Sequence, residues 1–428
     1  MKVDKKRTAT VVNHIKMFRC LSSHYVRKTC TAQFLPHELS ISEMHRMYLD
    51  HCREMNLTPE NFDFYKRVFN SSFHLKFGKL KKDQCNTCST YLNGEKTDEK
   101  TEKHDKHLRD KDLARDLKNK KKEEAEQIEE VVAAAFDLEQ VLLSPYGGTD
   151  AFYYSRRLKN HNFTVTELNT MNTYCYLWNE CEGAKGSCEM ATGVQNFISI
   201  KQNEGAKKIY FFSDRCGGQN LNRYMIIMLS HSVIEFELDF IELTFLVSGH
   251  SQNENDTAHS TIERNYRGKT IYTTAQWEST IIQAFKKNEA SIKTFMHEDF
   301  IDFKNEKAFP QYSMVYADKI MDKSKKKVMW SKIVQAKFTS DGSMAFKYSY
   351  VDKFETVRLT TPGTRGMRGK QKKVDMRKYK APLGITAAKK KDLLKLCTKE
   401  HIPKSHHEFY YSMPTNSAKD DGVVEVTD

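Results

Sequence analysis

The sequence predicts an α/β protein: a mixed sheet flanked by helices, with an N-terminal helical module and a small C-terminal β and basic region. Three observations carry this. Between 131 and 310, strand-like apolar runs precede and then alternate with helical stretches, in the order β-β-β-α-β-α-β-α. Residues 1–95 show apolar positions at helical period and few strand signals. The excess positive charge is concentrated near the C-terminus.

The elements follow in order. In LSISEMHRMYLDHCREM (39–55), Ile41, Met44, Tyr48, Leu49 and Met55 fall close to one helical face, and Ser40 or Ser42 can cap it. A break at Asn56–Pro59 leads into NFDFYKRVFNSSFHL, so two short helices with a tight connection form a helix-turn-helix-like unit. Residues 96–130 hold 11 basic and 12 acidic side chains and few leucines, which reads as an exposed, ion-paired helical linker or coiled-coil arm. Residues 131–310 form the core. There, VVAAAFDLEQVLL opens with a buried strand, AFYYSRRLKNHNFTVTELN and TYCYLWNECE are strands, and GVQNFISIKQNE is a helix. KKIYFFSD is a strand, NRYMIIMLSHSVIEF a helix, IELTFLVSGH a strand, and TIERNYRGKTIYTTAQWESTIIQAFKK largely helical. Residues 311–410 are a β and basic region, and 411–428 a disordered tail.

The chain of 428 residues has room for two or three domains. No run of eighteen apolar residues exists, so no membrane partner is expected. The start, MKVDKKRTAT, lacks the apolar stretch of a secretory leader, and ten sparse cysteines are expected to be reduced. The net charge is +13. The stretch from Arg365 to Lys404 holds 14 basic and 3 acidic residues, so Lys370, Lys372, Lys373, Arg377 and Lys378 are candidate DNA-phosphate contacts. A nuclear location fits that segment, whose bland reading is a solvated basic tail.

Two aspartates sit at the ends of core strands: Asp137 after VVAAAF and Asp214 after IYFFS. Acids there are costly to bury without a partner, and open α/β sheets collect their sites at strand ends. A cation such as Mg2+ or Mn2+ would relieve the repulsion. A third acid is expected from SGHSQNENDTAHSTIER (248–264), either Asp256 or Glu263, with Glu263 preferred. Such a trio can hold two metals about 4 Å apart for phosphodiester cleavage or strand transfer. The alternative for Asp137 is a turn cap, and for Asp214 an Asx-turn ahead of Gly217 and Gly218. Asn220 and Asn222 can cap the next helix or bind a phosphate. His250 and His259 have two readings of equal weight, orienting a phosphate or metal-bound water, and packing.

Cys85, Cys88, His104 and His107 give C-x2-C-x15-H-x2-H, four ligands of the kind that hold zinc, although the histidine spacing is tighter than usual. Free thiols with exposed histidines are the competing reading. Cys181 and Cys188 are a second, weaker pair.

The strand order and acids resemble the RNase H-like fold of DDE transposases and retroviral integrases, and AHSTIER resembles the segment that supplies the last acid in some insertion-sequence transposases. More closely, KKDQCNTC (81–88), FDLEQVLLSP (136–145), FFSDRCGGQNLN (211–222), FLVSGHSQNEND (245–256) and KKKDLLKLC (389–397) are similar to a transposon-derived family abundant in arthropods and other animals. The resemblance runs from about Ser23 to Met413. It implies catalytic roles for Asp137, Asp214 and one of Asp256 or Glu263. The expectation is a DDE-type, divalent-metal-dependent enzyme acting on DNA, with homo-oligomerisation left open. The alternatives are a domesticated DNA-binding protein with an inactive core, and a structure-selective nuclease.

Overall fold

The computed structural model describes residues 5–18, 20, 33–36, 38–77, 85–286, 289–361 and 374–417. The chain divides into two compact units, Met1–Gln84 and Cys85–Asp428. The division precedes the C-x2-C, which was expected to close an N-terminal module at residue 95, because Cys85 and Cys88 meet side chains from the second unit.

In the first unit, α1 (Lys5–Lys16), β1 (Gln33–Leu35), α2 (Ile41–Glu54), α3 (Phe62–Ser72) and β2 (Leu75–Phe77) follow one another, with β1 and β2 paired in parallel. Ser40 caps α2 by accepting from the Glu43 amide at 3.1 Å, and Asn61 caps α3 by accepting from Phe64 at 2.9 Å. Each cap satisfies a helix-end donor that would otherwise lack a partner. The apolar faces enclose Val11, Ile15, Met44, Tyr48, Tyr65 and Phe69. His14 joins them, 3.0 Å from the Tyr65 hydroxyl, and burial followed by the charges of His51 and His45 pushes it down to about 4. It is therefore a neutral packing residue at pH 7.

The second unit begins with α4 (Asn86–Asn93), α5 (Asp98–Gln127), β3 (Val131–Leu138), β4 (Leu142–Ser144), α6 (Asp150–Tyr153), β5 (Leu158–Glu167) and β6 (Thr173–Asn179). Next come α7 (Ser187–Asn203), β7 (Lys208–Ser213), α8 (Arg223–Glu235), β8 (Phe240–Phe245), α9 (Glu254–Tyr266), α10 (Thr274–Ala284) and β9 (Ala290–Thr294). The unit ends with α11 (Ser313–Tyr316), β10 (Gln335–Thr339), β11 (Ser343–Lys347), β12 (Glu355–Arg358), β13 (Ile385–Thr386), α12 (Ala387–Thr398), α13 (His407–Tyr411) and β14 (Thr415–Asn416). No helix among the described residues is long and apolar enough to cross a membrane.

The result is a mixed α/β unit built on one large sheet, in the order β12-β11-β10-β8-β7-β3-β5-β6-β9, with β4 on β5. The central β3, β7 and β8 run parallel, while β5 and β6 run antiparallel on the other side of β3. Alternate residues of the central strands face opposite ways, and both faces are covered, which is why VVAAAF and IYFF are unbroken apolar runs. Ala134, Phe136, Ile209, Phe211, Ile241 and Leu243 pack under α7 and α8. On the other face Ala133, Ala135, Tyr210 and Phe212 meet Ala114 and Ala125 of α5.

That contact corrects the linker expectation for 96–130. Only two small residues of α5 are buried, too few to register as an apolar stripe. The charged side chains complete the contact: Lys121 donates to the Tyr210 hydroxyl at 3.0 Å, and that hydroxyl donates to Glu124 at 2.9 Å. Their methylene stems cover the sheet while the charges reach polar partners. The strands expected to form a separate β unit also extend the same sheet, since β10 pairs with β8 and sets Ala336 beside Leu243 and Phe338 beside Ile241.

Much of the basic C-terminal segment is structural. Leu393, Leu396, Cys397 and Tyr410 pack with Phe152, Leu158 and Cys181, whereas Cys188 lies in the main core, so the Cys181–Cys188 pairing does not form. Lys389 is buried with its ammonium 2.8 Å from both Glu180 oxygens. Lys378, expected on DNA, is instead bound to the buried Glu189 carboxylate. Arg377 pairs with Asp375 at 3.0 Å. Lys370, Lys372 and Lys373 lie outside the described residues, as does 418–428, whereas the start of the expected tail forms β14 against β13.

Removing Lys378 strands a buried carboxylate. Lys378→Met should destabilise the protein by about 3 kcal/mol, and Lys378→Met combined with Glu189→Leu should recover most of that, as urea denaturation can read.

Candidate functional site

The parallel register of β3 and β7 builds the site. The last pair of that ladder is Ala135 with Phe212; Asp137 lies two residues further along β3 and Asp214 directly follows β7, near enough for its charge to act on Asp137. On its other flank Asp137 pairs with Thr164 of β5. The Thr164 hydroxyl lies 3.0 Å from Nε2 of His259, on α9. One turn earlier on α9 is Asp256, which closes a capping box by accepting from the Asn253 amide at 2.7 Å.

Burial first, then the charge of Asp214, and then that of Asp256, push the Asp137 carboxyl up to about 7. Lys185 opposes this weakly. Burial also raises Asp214, against hydrogen bonds from Asn220 and the Cys216 backbone. The α9 carboxylate whose charge reaches Asp137 is Asp256, not the preferred Glu263. Glu263 lies seven residues along α9, roughly 10 Å further. It is half exposed, pairs with Arg267 at 2.8 Å, and its charge bears on Glu139. Among the described residues, the three aspartates do not form a ligand group within 4.8 Å.

The CGGQN segment supports Asp214. The Cys216 carbonyl accepts the amides of Asn220 and Leu221, at 2.8 and 3.0 Å, and folds the chain back. Asn220, buried by that fold, donates to Asp214 Oδ1 at 2.5 Å. Asn222 accepts two amides as the cap of α8. Glu139 was missed in the sequence. It is buried, accepts from Asn162 at 2.7 Å, and burial raises it to about 8. The period-two spacing in Asp137-Leu138-Glu139 was the available signal.

A second cluster lies in the same unit. Ligand atoms of Cys85, Cys88, His107 and His250 are all within 4.8 Å of one another, a Cys2His2 set that could hold a metal such as zinc. Cys85 caps α4, Cys88 lies in its first turn, His107 is on α5, and His250 is in the loop after β8. Cys85 Sγ is 3.2 Å from His107 Nε2, and Cys88 Sγ is 3.3 Å from His250 Nε2. His104, the expected fourth ligand, instead stacks on Tyr91 at 4.0 Å. It lies one turn before His107, where the packing of α4 on α5 engages it with the ring. No local spacing could have named His250, which is 162 residues from Cys88. Burial lowers both histidines, His250 to about 4, so the imidazoles are in the neutral, ligand-competent form at pH 7.

An acid whose pKa is higher folded than unfolded holds its proton more tightly in the native state. For Asp137 the penalty is absent below the ordinary value of 3.8, grows between there and about 7, and is full above. In chelator, Asp137→Asn should therefore raise stability by roughly 2 kcal/mol at pH 8, with the gain gone near pH 4, as Tm measured against pH would record.

The sequence profile of a domain of unknown function (DUF7869) matches residues 153–333. No curated protein and no solved structure matches the chain. The matched stretch includes Asp214, His250 and Asp256 and begins after Asp137 and the other three cluster residues.

Proposed function

We propose that the second unit is an RNase H-like core of transposon-derived, DDE type, which cleaves or joins DNA strands with a divalent metal. The observation that carries this reading is the adjacency of Asp137 and Asp214 at the carboxyl ends of parallel neighbours, with the charge of Asp256 bearing on the same carboxyl. The strand order supports it: β3, β5 and β6 antiparallel, then β7 and β8 parallel on the far side of β3, separated by α7 and α8. Sites in α/β sheets collect at such strand ends.

Three aspartates are hard oxygen donors that suit Mg2+ or Mn2+. Asp137, Asp214 and Asp256 would hold the metal, whose chemistry is activation of a water or 3′-hydroxyl and neutralisation of the leaving oxygen. The chain's own part is positioning. Asn220 holds Asp214, the capping box holds Asp256, and His259 is held by Thr164, the β5 partner of Asp137. A cleft of about 320 Å³ lined by Lys103, Lys106, His107, Asp110, Arg215 and Tyr350 carries three cations and suits a phosphate backbone. DNA as partner and the nucleus as compartment belong to this reading.

The spacing of the aspartates beyond 4.8 Å favours a second reading, a DNA-binding protein with an inactive core. Nicking of supercoiled plasmid in Mg2+ or Mn2+ separates the two. The wild-type protein should nick, and Asp214→Asn should lose at least 100-fold while retaining its fold and DNA affinity; equal nicking by both would remove the aspartates from the chemistry. Lys106→Glu should weaken binding to unrelated DNA sequences alike and reduce the salt dependence by about one counterion.

A further inference from the structure

We propose that Cys85, Cys88, His107 and His250 bind one zinc ion as a closed structural site, and that this ion fastens the loop between β8 and α9 to the α4–α5 pair.

The donor chemistry points to zinc. Two thiolates and two imidazoles form the borderline-soft, tetrahedral set that zinc prefers, and four protein ligands leave no position for a reactive water. The spacing fits as well. Zn–S of about 2.3 Å and Zn–N of about 2.0 Å at a tetrahedral angle put sulfur and nitrogen about 3.5 Å apart. The two sulfur–nitrogen separations are 3.2 and 3.3 Å. Both contacts use Nε2, and the imidazole rings are 5.0 Å apart and tilted by 50°, so they approach from different directions.

The location gives the ion its role. Residues 246–253 form no regular structure between β8 and α9. Gly249 takes a φ of +77°, and a side chain there would fall 2.8 Å from Cys85, so the backbone is pressed against a ligand. The His250 amide closes a turn on Val247 at 2.8 Å, directing its ring toward Cys88. Three residues later Asn253 caps α9, and three beyond that is Asp256. Lys118 of α5 holds the same end of α9 through Glu254 at 2.8 Å. Without the ion, the two thiols and two imidazoles would hold the loop to the α4–α5 pair only through weak sulfur contacts among themselves, and less of its anchoring would remain.

The inference stands whether or not the aspartates bind a metal, so its test does not use nuclease activity. Full-length protein purified without chelator should carry about one zinc per chain by elemental mass spectrometry. After chelation and reloading with Co2+, the visible spectrum should show tetrahedral bands with thiolate charge transfer. His250→Ala and Cys88→Ser should lose stoichiometric zinc, whereas His104→Ala should keep it. Hydrogen exchange across 246–256 should rise on chelation while β3 and β7 remain protected. The proposal fails if the wild-type protein gives no tetrahedral cobalt spectrum, if His250→Ala retains zinc, if Cys85 and Cys88 are recovered as a disulfide, or if the loop stays protected without metal. The cobalt titration of wild-type protein still decides whether a tetrahedral, thiolate-ligated site exists even if a variant does not fold.

Discussion

The parallel pairing of β3 with β7 is the constraint on which the rest of the second unit depends. Its register ends at Ala135 and Phe212, so Asp137 and Asp214 follow at the same end of the pair, where the charge of Asp214 bears on Asp137. A shift by one residue would turn Asp137 into the packed face of Phe136 and expose the core. The register is held by the apolar pattern, because Phe136, Ile209 and Phe211 have no other place to be buried. Fully burying each is worth about 2 kcal/mol. The apolar packing therefore enforces an arrangement of like charges that is unfavourable in isolation.

That cost is local, and the surrounding structure offsets it. Asn220 and the Cys216 backbone stabilise ionised Asp214, the Leu138 amide does the same for Asp137 at 2.8 Å, and the Asn253 amide holds Asp256. Each aspartate is thus held by a backbone amide or a neighbouring amide side chain. Elsewhere in the same unit buried acids do receive cations, as Glu180 with Lys389 and Glu189 with Lys378 show.

The long helix α5 links the two clusters. Its middle covers the sheet through Ala114, Lys118 and Lys121, and its first half delivers His107 to the cysteines. The sheet surface, the hydrogen bond from Lys121 to Tyr210 and the ion pair of Lys118 with Glu254 hold the helix. The basic C-terminal residues are likewise drawn into the fold: Lys390 donates to the carbonyls of Tyr410, Tyr411 and Met413 and ties α12 to the end of α13. Positive charge counted along a sequence therefore overstates what is free to meet a polyanion.

The α/β class, the strand order, the caps of α2 and α8, and the aspartates ending two strands could all be read from residue order, because each rests on a period of two or 3.6, on an apolar run, or on a side chain bonding its own neighbours. The role of α5, the continuation of the sheet into β10, and the grouping of His250 instead of His104 with the two cysteines could not. These depend on which distant segments touch: a histidine 162 residues from its cysteine, or lysines whose partners lie on another element, leave no trace in local spacing. Helix packing and strand pairing bring them together only when the whole unit folds, since burial is a property of the assembled surface and not of the segment.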